Sequence, residues 1–245
     1  MNKISVTVIT LNEEKNIERC LNSVKWADEI VVLDGFSQDR TIELCRRFTD
    51  KIFQEAWLGY GKQKNLCAAK ASYQWILNLD ADEEVSSDCA EEIREKLDKE
   101  LNHPLYLIPR KNFFGGRWVR FGGWYPDRIA RLYDKTRVAF TEVAVHEELF
   151  PNGNGGYLVH SLKHYSYSDT EDYISRQNYY STLSAQEMVR NGKIAEWWDL
   201  CLRPLWAFVK AYFFRQGFRE GFLGFFLAAA AGFYTFLKYA KTRSV

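Results

Sequence analysis

A chain of 245 residues suits one compact domain with an elaborated tail, or two small domains. Its hydrophobic content of 47% excludes a disordered or low-complexity protein, and a net charge of +1 gives no whole-chain reason to expect nucleic acid as a partner. Five scattered cysteines (Cys20, Cys45, Cys67, Cys89 and Cys201), with no Cys-x-x-Cys pair, argue against a disulfide framework or a zinc cage and fit a reducing cytosol.

The first apolar run, Ile4 to Leu11, meets Glu13 and Glu14 at once, too short and too soon acidic for a signal peptide. Within it, Ser5-Val-Thr-Val-Ile-Thr10 is β-branched, as in a strand buried on both faces. Asn12-Glu13-Glu14 turns into a helix on which Ile17, Cys20, Leu21 and Val24 recur at helical spacing. Glu29 to Asp34 reads as a second strand stopped by Gly35, Thr41 to Phe48 as a helix, and Lys51 to Phe53 as a short third strand. Lys62 to Ala71 is helical, and Trp75 to Leu79 is a fourth strand that runs into acids. Strands alternating with helices imply a parallel sheet, so the first hundred residues are α/β.

The pattern then changes. Leu105 to Arg110, Ile129 to Tyr133, Val138 to Phe140 and Tyr157 to Leu162 read as strands. Phe113 to Arg117 and Phe121 to Trp124 read as aromatic, glycine-rich loops, and Pro151 to Gly156 as a loop. Ser168 with Glu171 makes a capping box opening a helix to about Gly192, and two aromatic-rich helical stretches follow, divided near Gly217.

In an open parallel sheet, ligands bind beyond the carboxyl ends of the strands, near the point where strand order reverses. Three such ends carry polar residues: Thr10, Asn12 and Glu13 after strand one, Asp34 to Thr41 after strand two, and Asp80-Ala-Asp82 after strand four. Two carboxylates two residues apart after a buried strand can hold a hard divalent cation that also bridges two phosphates. The alternative for these acids is the decoration of a helix N-terminus, since Glu83, Glu84 and Asp88 continue the run. Asp34 can accept hydrogen bonds from a base or ribose, Asp39 suits a helix cap, and Lys62, Lys64 and Asn65 can reach a donor or be solvated helix residues.

Together, Thr7 to Glu13, Asp34 to Thr41, Gly61-Lys-Gln-Lys-Asn65 and Asp80-Ala-Asp82 resemble glycosyltransferase family 2, of the GT-A fold. Arg128 to Tyr133, Val145-His-Glu147, His164-Tyr-Ser166 and Gly217 to Gly221 are similar to one branch of it, the bacterial lipopolysaccharide core glycosyltransferases. The resemblance implies a GT-A, Rossmann-like, mostly parallel sheet with a C-terminal helical extension. It also implies transfer of a hexose, with inversion, from a UDP donor assisted by Mn²⁺ or Mg²⁺. Thr10, Asn12, Glu13, Asp34, Lys62, Asn65 and Asp80 would bind the donor, and Asp82 would be the principal metal ligand with Asp80 in support.

The Glu-Asp pair from which many members draw their general base is absent from residues 1–166, which directs that role to Glu147, with Glu142, Glu148 and Asp127 as competitors. His164 and His146 are candidates for a further metal ligand or a diphosphate contact, or for packing among aromatics. Of Arg128 and Arg131, one is expected to meet phosphate while the other is solvated.

Residues 1–166 are therefore expected to form the catalytic domain, with a nucleotide-sugar half (1–110) and an acceptor half (111–166). Residues 167–245 form a helical extension. From Lys193 onward this extension nets +5 and is rich in Trp and Phe, a composition suited to an anionic membrane surface. Gly221 to Leu237 runs 17 residues without charge, the lower edge for a spanning helix, but its glycines and aromatics favour an interfacial helix pair. The expected location is the inner face of the bacterial inner membrane, where a lipid-linked or lipopolysaccharide core acceptor would be met. The rivals are a sugar nucleotidyltransferase, which would want a basic glycine-rich loop where Leu11 to Glu14 stands, and a catalytically silent membrane scaffold, against which Asp80 and Asp82 argue.

Overall fold

A computed structural model describes residues 2–99, 101–141, 149–150 and 155–244. The chain divides into two compact units, Met1–Arg110 with Arg128–His164, and Lys111–Asp127 with Tyr165–Val245. Residues 111–127 group by contacts with the C-terminal helices.

The first unit begins β1 (Ile4–Thr10), α1 (Ile17–Asn22), β2 (Glu29–Asp34), α2 (Thr41–Cys45), β3 (Ile52–Gln54), α3 (Tyr60–Lys70) and β4 (Trp75–Asp80). It continues with β5 (Glu83–Val85), α4 (Ser87–Asp98), β6 (Leu105–Phe114), β7 (Arg117–Trp118, in the second unit), β8 (Asp127–Asp134), β9 (Ala139–Phe140), β10 (Leu149–Phe150), β11 (Gly156–Tyr157) and β12 (Leu162–Tyr167). The main sheet is mixed, in the order β3-β2-β1-β4-β8-β6-β12-β5. Its β3-β2-β1-β4 portion is parallel throughout, and β8 runs antiparallel to β4.

The period of two in the β-branched runs explains why both faces are covered. Ile4, Val6 and Val8 of β1, with Leu77 and Leu79 of β4, join a core with Ile17, Cys20, Leu21, Leu44 and Ile93 of α1, α2 and α4. Ile9, Val31, Leu33 and Ile76 point the other way, into a core with Cys67 and Ala68 of α3. Order reverses at β1, which has β2 on one side and β4 on the other. The registers Thr10↔Asp34 and Ile9↔Asp80 bring the three polar strand ends level.

Two segments differ from the expected pattern. Glu83–Val85 forms β5 rather than the start of a helix, and α4 opens later, with Ser86 Oγ accepting from Cys89 N at 3.2 Å. The strand expected over 157–162 is instead the two-residue β11 followed by β12, which pairs with β5 and begins where the expected strand ends.

Polar groups at the amino-terminal edge of the sheet are satisfied too. The Glu29 carboxylate, at the start of β2, accepts from Ser5 Oγ and Lys51 Nζ, and from Ser72 N and Oγ, both at 2.7 Å. Burial alone would raise its pKa, but these bonds outweigh burial and carry it down from 4.5 to about 2. A depressed carboxylate contributes stability above its unfolded pKa and loses it as pH falls through the folded one. Glu29→Gln is therefore expected to cost about 1.5–3 kcal/mol at neutral pH. The gap to wild type should close as pH falls from about 4.5 to about 2. Urea midpoints across this range test it, and a gap independent of pH would mean that Glu29 does not carry the acid sensitivity.

In the second unit, the helices are α5 (Thr170–Arg190), α6 (Trp197–Val209) and α7 (Phe222–Lys241). A π-helical turn, Lys210–Phe214, and a 3-10 turn, Gly217–Glu220, separate the last two. The cap of α5 is Asp169, accepting from Asp172 N at 2.9 Å, one residue later than the Ser168 expected. Phe114, Val119, Tyr173, Leu227 and Ala230 form its core. The hairpin of α6 and α7 closes tightly: a Cβ on Gly224 would lie 1.8 Å from the Gly217 carbonyl oxygen, so only glycine allows that approach. Glu220 is buried, and its carboxylate accepts from Arg117 Nη2 (2.8 Å), Arg120 N (2.7 Å) and Phe121 N (3.1 Å).

Candidate active site

The site builds up at the carboxyl ends of β1, β2 and β4. The loops after β1 and β2 are tied to each other. Asn12 N donates to Ser37 Oγ at 2.8 Å, and Gln38 N donates back to Asn12 Oδ1 at 2.8 Å. Asn12 (φ 55°) and Phe36 (φ 65°) both take the left-handed conformation that non-glycine residues rarely adopt, a local strain of the kind that collects at binding sites. Glu13 N donates to Thr41 Oγ1 at 2.8 Å, and Thr10, at the end of β1, is buried. Asp34 is fully buried, with one oxygen accepting from Ser37 N (2.9 Å) and Gln54 Nε2 (3.0 Å) and the other from Ser37 Oγ. Asp39 stands one residue before the N-cap of α2, Arg40, and accepts from Thr41 N at 2.9 Å and Glu14 N at 3.1 Å.

The two acids after β4 have different surroundings. Asp80 shares the parity of Ile76 and so faces α3, where the buried Lys64 Nζ lies 3.1 Å from its Oδ1. Arg131 of β8 holds the other oxygen. The antiparallel register Leu77↔Leu132 sets that strand beside β4, and Arg131 also donates to Asn78 Oδ1 at 3.2 Å and to Glu83 Oε1 at 2.8 Å. Burial would raise the Asp80 pKa, but Arg131 and Lys64 prevail and hold it well below the usual carboxylate range. Burial would lower Arg131, but Asp80 and Glu83 outweigh it and drive its pKa up. Both therefore stay charged. Glu83, fully buried, completes the cluster with Arg110 Nη1 at 3.3 Å and accepts from Asp80 N at 3.1 Å.

Asp82 lies outside this cluster. Its Oδ2 meets His164 Nε2 at 3.2 Å, because the pairing of β12 with β5 sets His164 opposite Glu83. A carboxylate oxygen and an imidazole nitrogen at that separation would together hold a divalent transition ion such as Mn²⁺, so the pair fits a divalent cation. Among the described residues, no group of three or more His, Cys, Asp and Glu side chains gathers for a metal.

The other expected site residues are placed as follows. Lys62 is exposed on α3, while Lys64, one turn-face away, is the buried partner of Asp80. The amide of Asn65 is bonded to the Phe140 backbone in both directions, donating to its O at 2.9 Å and accepting from its N at 2.8 Å. Arg128 is exposed, its guanidinium over the Tyr157 ring at 5.6 Å, whereas Arg131, three residues on and therefore on the other face, is buried. Asp127, in the second unit, accepts from Asn112 Nδ2 at 3.0 Å. Glu147, Glu142, Glu148 and His146 lie outside the described residues. The member of this cluster that the sequence does not mark is Glu83, which reads as one more acid in the run after β4.

An α/β sheet whose order reverses beside an Asp-x-Asp strand end has the layout of a GT-A transferase. The chain belongs to glycosyltransferase family 2: the family model described as Glycosyl transferase family 2 matches residues 5–149. It is thus a glycosyltransferase. It is 32% identical over 262 residues to an uncharacterized glycosyltransferase of Rickettsia typhi, spanning 100% of this chain and 88% of that one. To the lipopolysaccharide core biosynthesis glycosyltransferase LpsC of Rhizobium meliloti it is 30% identical over 250 residues, spanning 97% and 91%. In fold it is similar to residues 1–349 of TarS from S. aureus, solved with UDP, at a TM-score of 0.52, 18% identity, and coverage of 99% and 91%.

Proposed function

We propose that this glycosyltransferase moves a hexose, with inversion, from UDP to a lipid-linked or lipopolysaccharide core acceptor, with a divalent cation at Asp82 and His164. The observation that carries this is the division of labour at the end of β4. Asp80 is neutralised by Lys64 and Arg131, which leaves Asp82 and His164 as a separate donor pair at the strand-order reversal. The UDP complex of TarS, similar in fold, supports the choice of nucleotide, and LpsC, similar over nearly its whole length, supports the choice of acceptor.

In this reading, Asp34 and the strained Asn12 loop receive the nucleoside, and the Ser37 bridge keeps both loops in place before binding. The cation supplies charge neutralisation of the diphosphate leaving group. Lys64 and Arg131 hold Asp80 rigid and ionised behind the donor pair, so the edge of the site does not reorganise during transfer. Glu147 takes the proton of the acceptor hydroxyl as that oxygen attacks the anomeric carbon. The proposed location is the cytoplasmic face of the bacterial inner membrane, with the enzyme peripheral to it and the cationic, aromatic extension turned to the lipid.

Calorimetric titration with UDP, GDP, ADP and CDP, each with and without Mn²⁺, tests the donor reading. Metal-dependent binding selective for UDP is expected, and no binding of any diphosphate would overturn it. Glu147→Gln is expected to leave UDP binding unchanged and to slow transfer by about 10²–10⁴-fold. Turnover near that of wild type would move the base to another acid.

A further inference from the structure

The outer surface of α6 and the turn after it is apolar where a soluble helix is polar. No residue of α6 is buried, yet Trp197, Trp198, Leu202, Leu205 and Trp206 stand on it, each 48–64% exposed. The turn adds Phe213, Phe214, Phe218 and Phe222, all exposed. A contiguous apolar surface of this kind marks an interaction site. The charge around it is predominantly positive, the exceptions being Glu196 and Asp199 at the start of α6, of which Asp199 is paired with Arg203. Residues 201–245 net +6, with Lys210, Arg215 and Arg219 exposed on the turn. The single acid of that stretch, Glu220, is turned inward to Arg117 and the backbone of Arg120 and Phe121. Aromatic rings with a fringe of Lys and Arg complement an anionic lipid headgroup layer.

The hairpin also defines which helix meets the lipid. By length and composition α7 could cross a membrane, with 20 residues and a mean hydropathy of 1.4 over its most apolar 18. Its neighbours argue otherwise. Tyr234 Oη is 3.0 Å from Ser184 Oγ of α5, and Lys241 Nζ is bonded to Asn178, Ser181 and Thr182 of the same helix. A crossing α7 would carry α5, with Glu171, Asp172, Arg176, Glu187 and Arg190, toward the hydrocarbon. On another side α6 covers it: a Cβ on Gly232 would lie 3.0 Å from the Pro204 carbonyl oxygen, and the Arg203 guanidinium sits over Tyr239 at 5.1 Å. α7 is thus a strut between a polar helix and an apolar one.

We propose that the exposed face of α6 and the 210–222 turn lie within the headgroup layer of an anionic bilayer, with α7 supporting them in the plane rather than crossing. This rests on the peripheral location proposed above and assigns its surface, its lipid charge and its depth. The test uses the full-length chain carrying an environment-sensitive dye on Cys201, which is exposed on α6 while the other four cysteines are buried. Burial pushes the thiols of Cys45, Cys67 and Cys89 up to about 12, and that of Cys20 up as well, which makes the labelling selective.

With phosphatidylglycerol-containing vesicles, a blue shift and co-sedimentation are expected, reversed by high salt and at least tenfold weaker with phosphatidylcholine alone. Trp198→Ser/Trp206→Ser should lose at least tenfold in vesicle affinity. Lys210→Gln/Arg219→Gln should lose about fivefold per charge on anionic vesicles and little on neutral ones. A shift that needs no lipid and grows with protein concentration would make this face a contact between copies and overturn the proposal. Salt-resistant insertion, with α7 reachable from both sides of the vesicle, would overturn the in-plane placement. Protein that binds UDP but no vesicle overturns this proposal alone; protein that binds vesicles but no nucleotide overturns the donor reading alone.

Discussion

Alanine in place of Asp82 is expected to abolish Mn²⁺-dependent UDP binding and to cut transfer by about 10³-fold or more, a loss of at least ~4 kcal/mol of transition-state stabilisation. The side chain meets His164 and stands apart from the buried cluster, so the fold should survive its removal. The loss of one partly buried ion pair predicts a melting point within a few degrees of wild type, since about 1 kcal/mol moves a chain of this size by about 2–4 °C. Asp80→Asn gives the opposite signature. It leaves Lys64 and Arg131 with too little negative charge in a buried setting, so stability falls along with activity. Calorimetry with and without Mn²⁺, paired with thermal melts of both variants, separates the two roles. UDP affinity equal to wild type in Asp82→Ala would remove that residue from the metal site.

Arg131→Met is expected to produce the largest loss of stability in the first unit, about 3–5 kcal/mol. Methionine keeps much of the apolar volume but takes from Asp80, which is partly buried, and from Glu83, which is fully buried, the cation that they share. Arg131→Lys should recover less than half of this, because a single ammonium does not reproduce the fork that reaches Asn78, Asp80 and Glu83 together. Arg128→Met on the same strand is the control. Its side chain is exposed on the other face, and about 0.5 kcal/mol or less is expected. Denaturant midpoints of the three variants decide it: equal losses at 128 and 131 would mean that the buried cluster adds no more than surface charge.

The parts of this fold legible in the sequence are those where local pattern and tertiary environment agree. The runs at Ser5, Glu29 and Trp75 are β-branched or apolar on both faces, so they could only be central strands, and the polar residues that end them come together as their positions required. The less legible parts depend on long-range pairing. Glu83 reads as one more acid before a helix, and only Arg110 and Arg131, more than 25 residues away, make it a buried strand residue. β12 pairs with a three-residue strand that carries no sequence signal of its own, so its start could not be set from local pattern. Asn65 and Lys64 are adjacent polar residues on one helix, and composition does not reveal that one braces Phe140 while the other faces Asp80. That two acids follow a buried strand was plain from the sequence. That Asp80 is held by cations required the neighbouring strand β8 and helix α3.

The interleaving of the two units gives the chain a timetable. Phe114 and Val119 emerge from the ribosome early, yet the side chains that cover them, Leu227 and Ala230, follow more than a hundred residues later. At about 5–20 residues per second that is a wait of roughly 5–20 s. During this interval the first unit has gained its last segment, Arg128–His164, while the aromatic insertion at 111–127 remains exposed. The nascent protein therefore passes through a stage in which its first unit has all its segments while the apolar side chains of the insertion still await their partners, a stage at which a holding chaperone would govern the yield of finished enzyme.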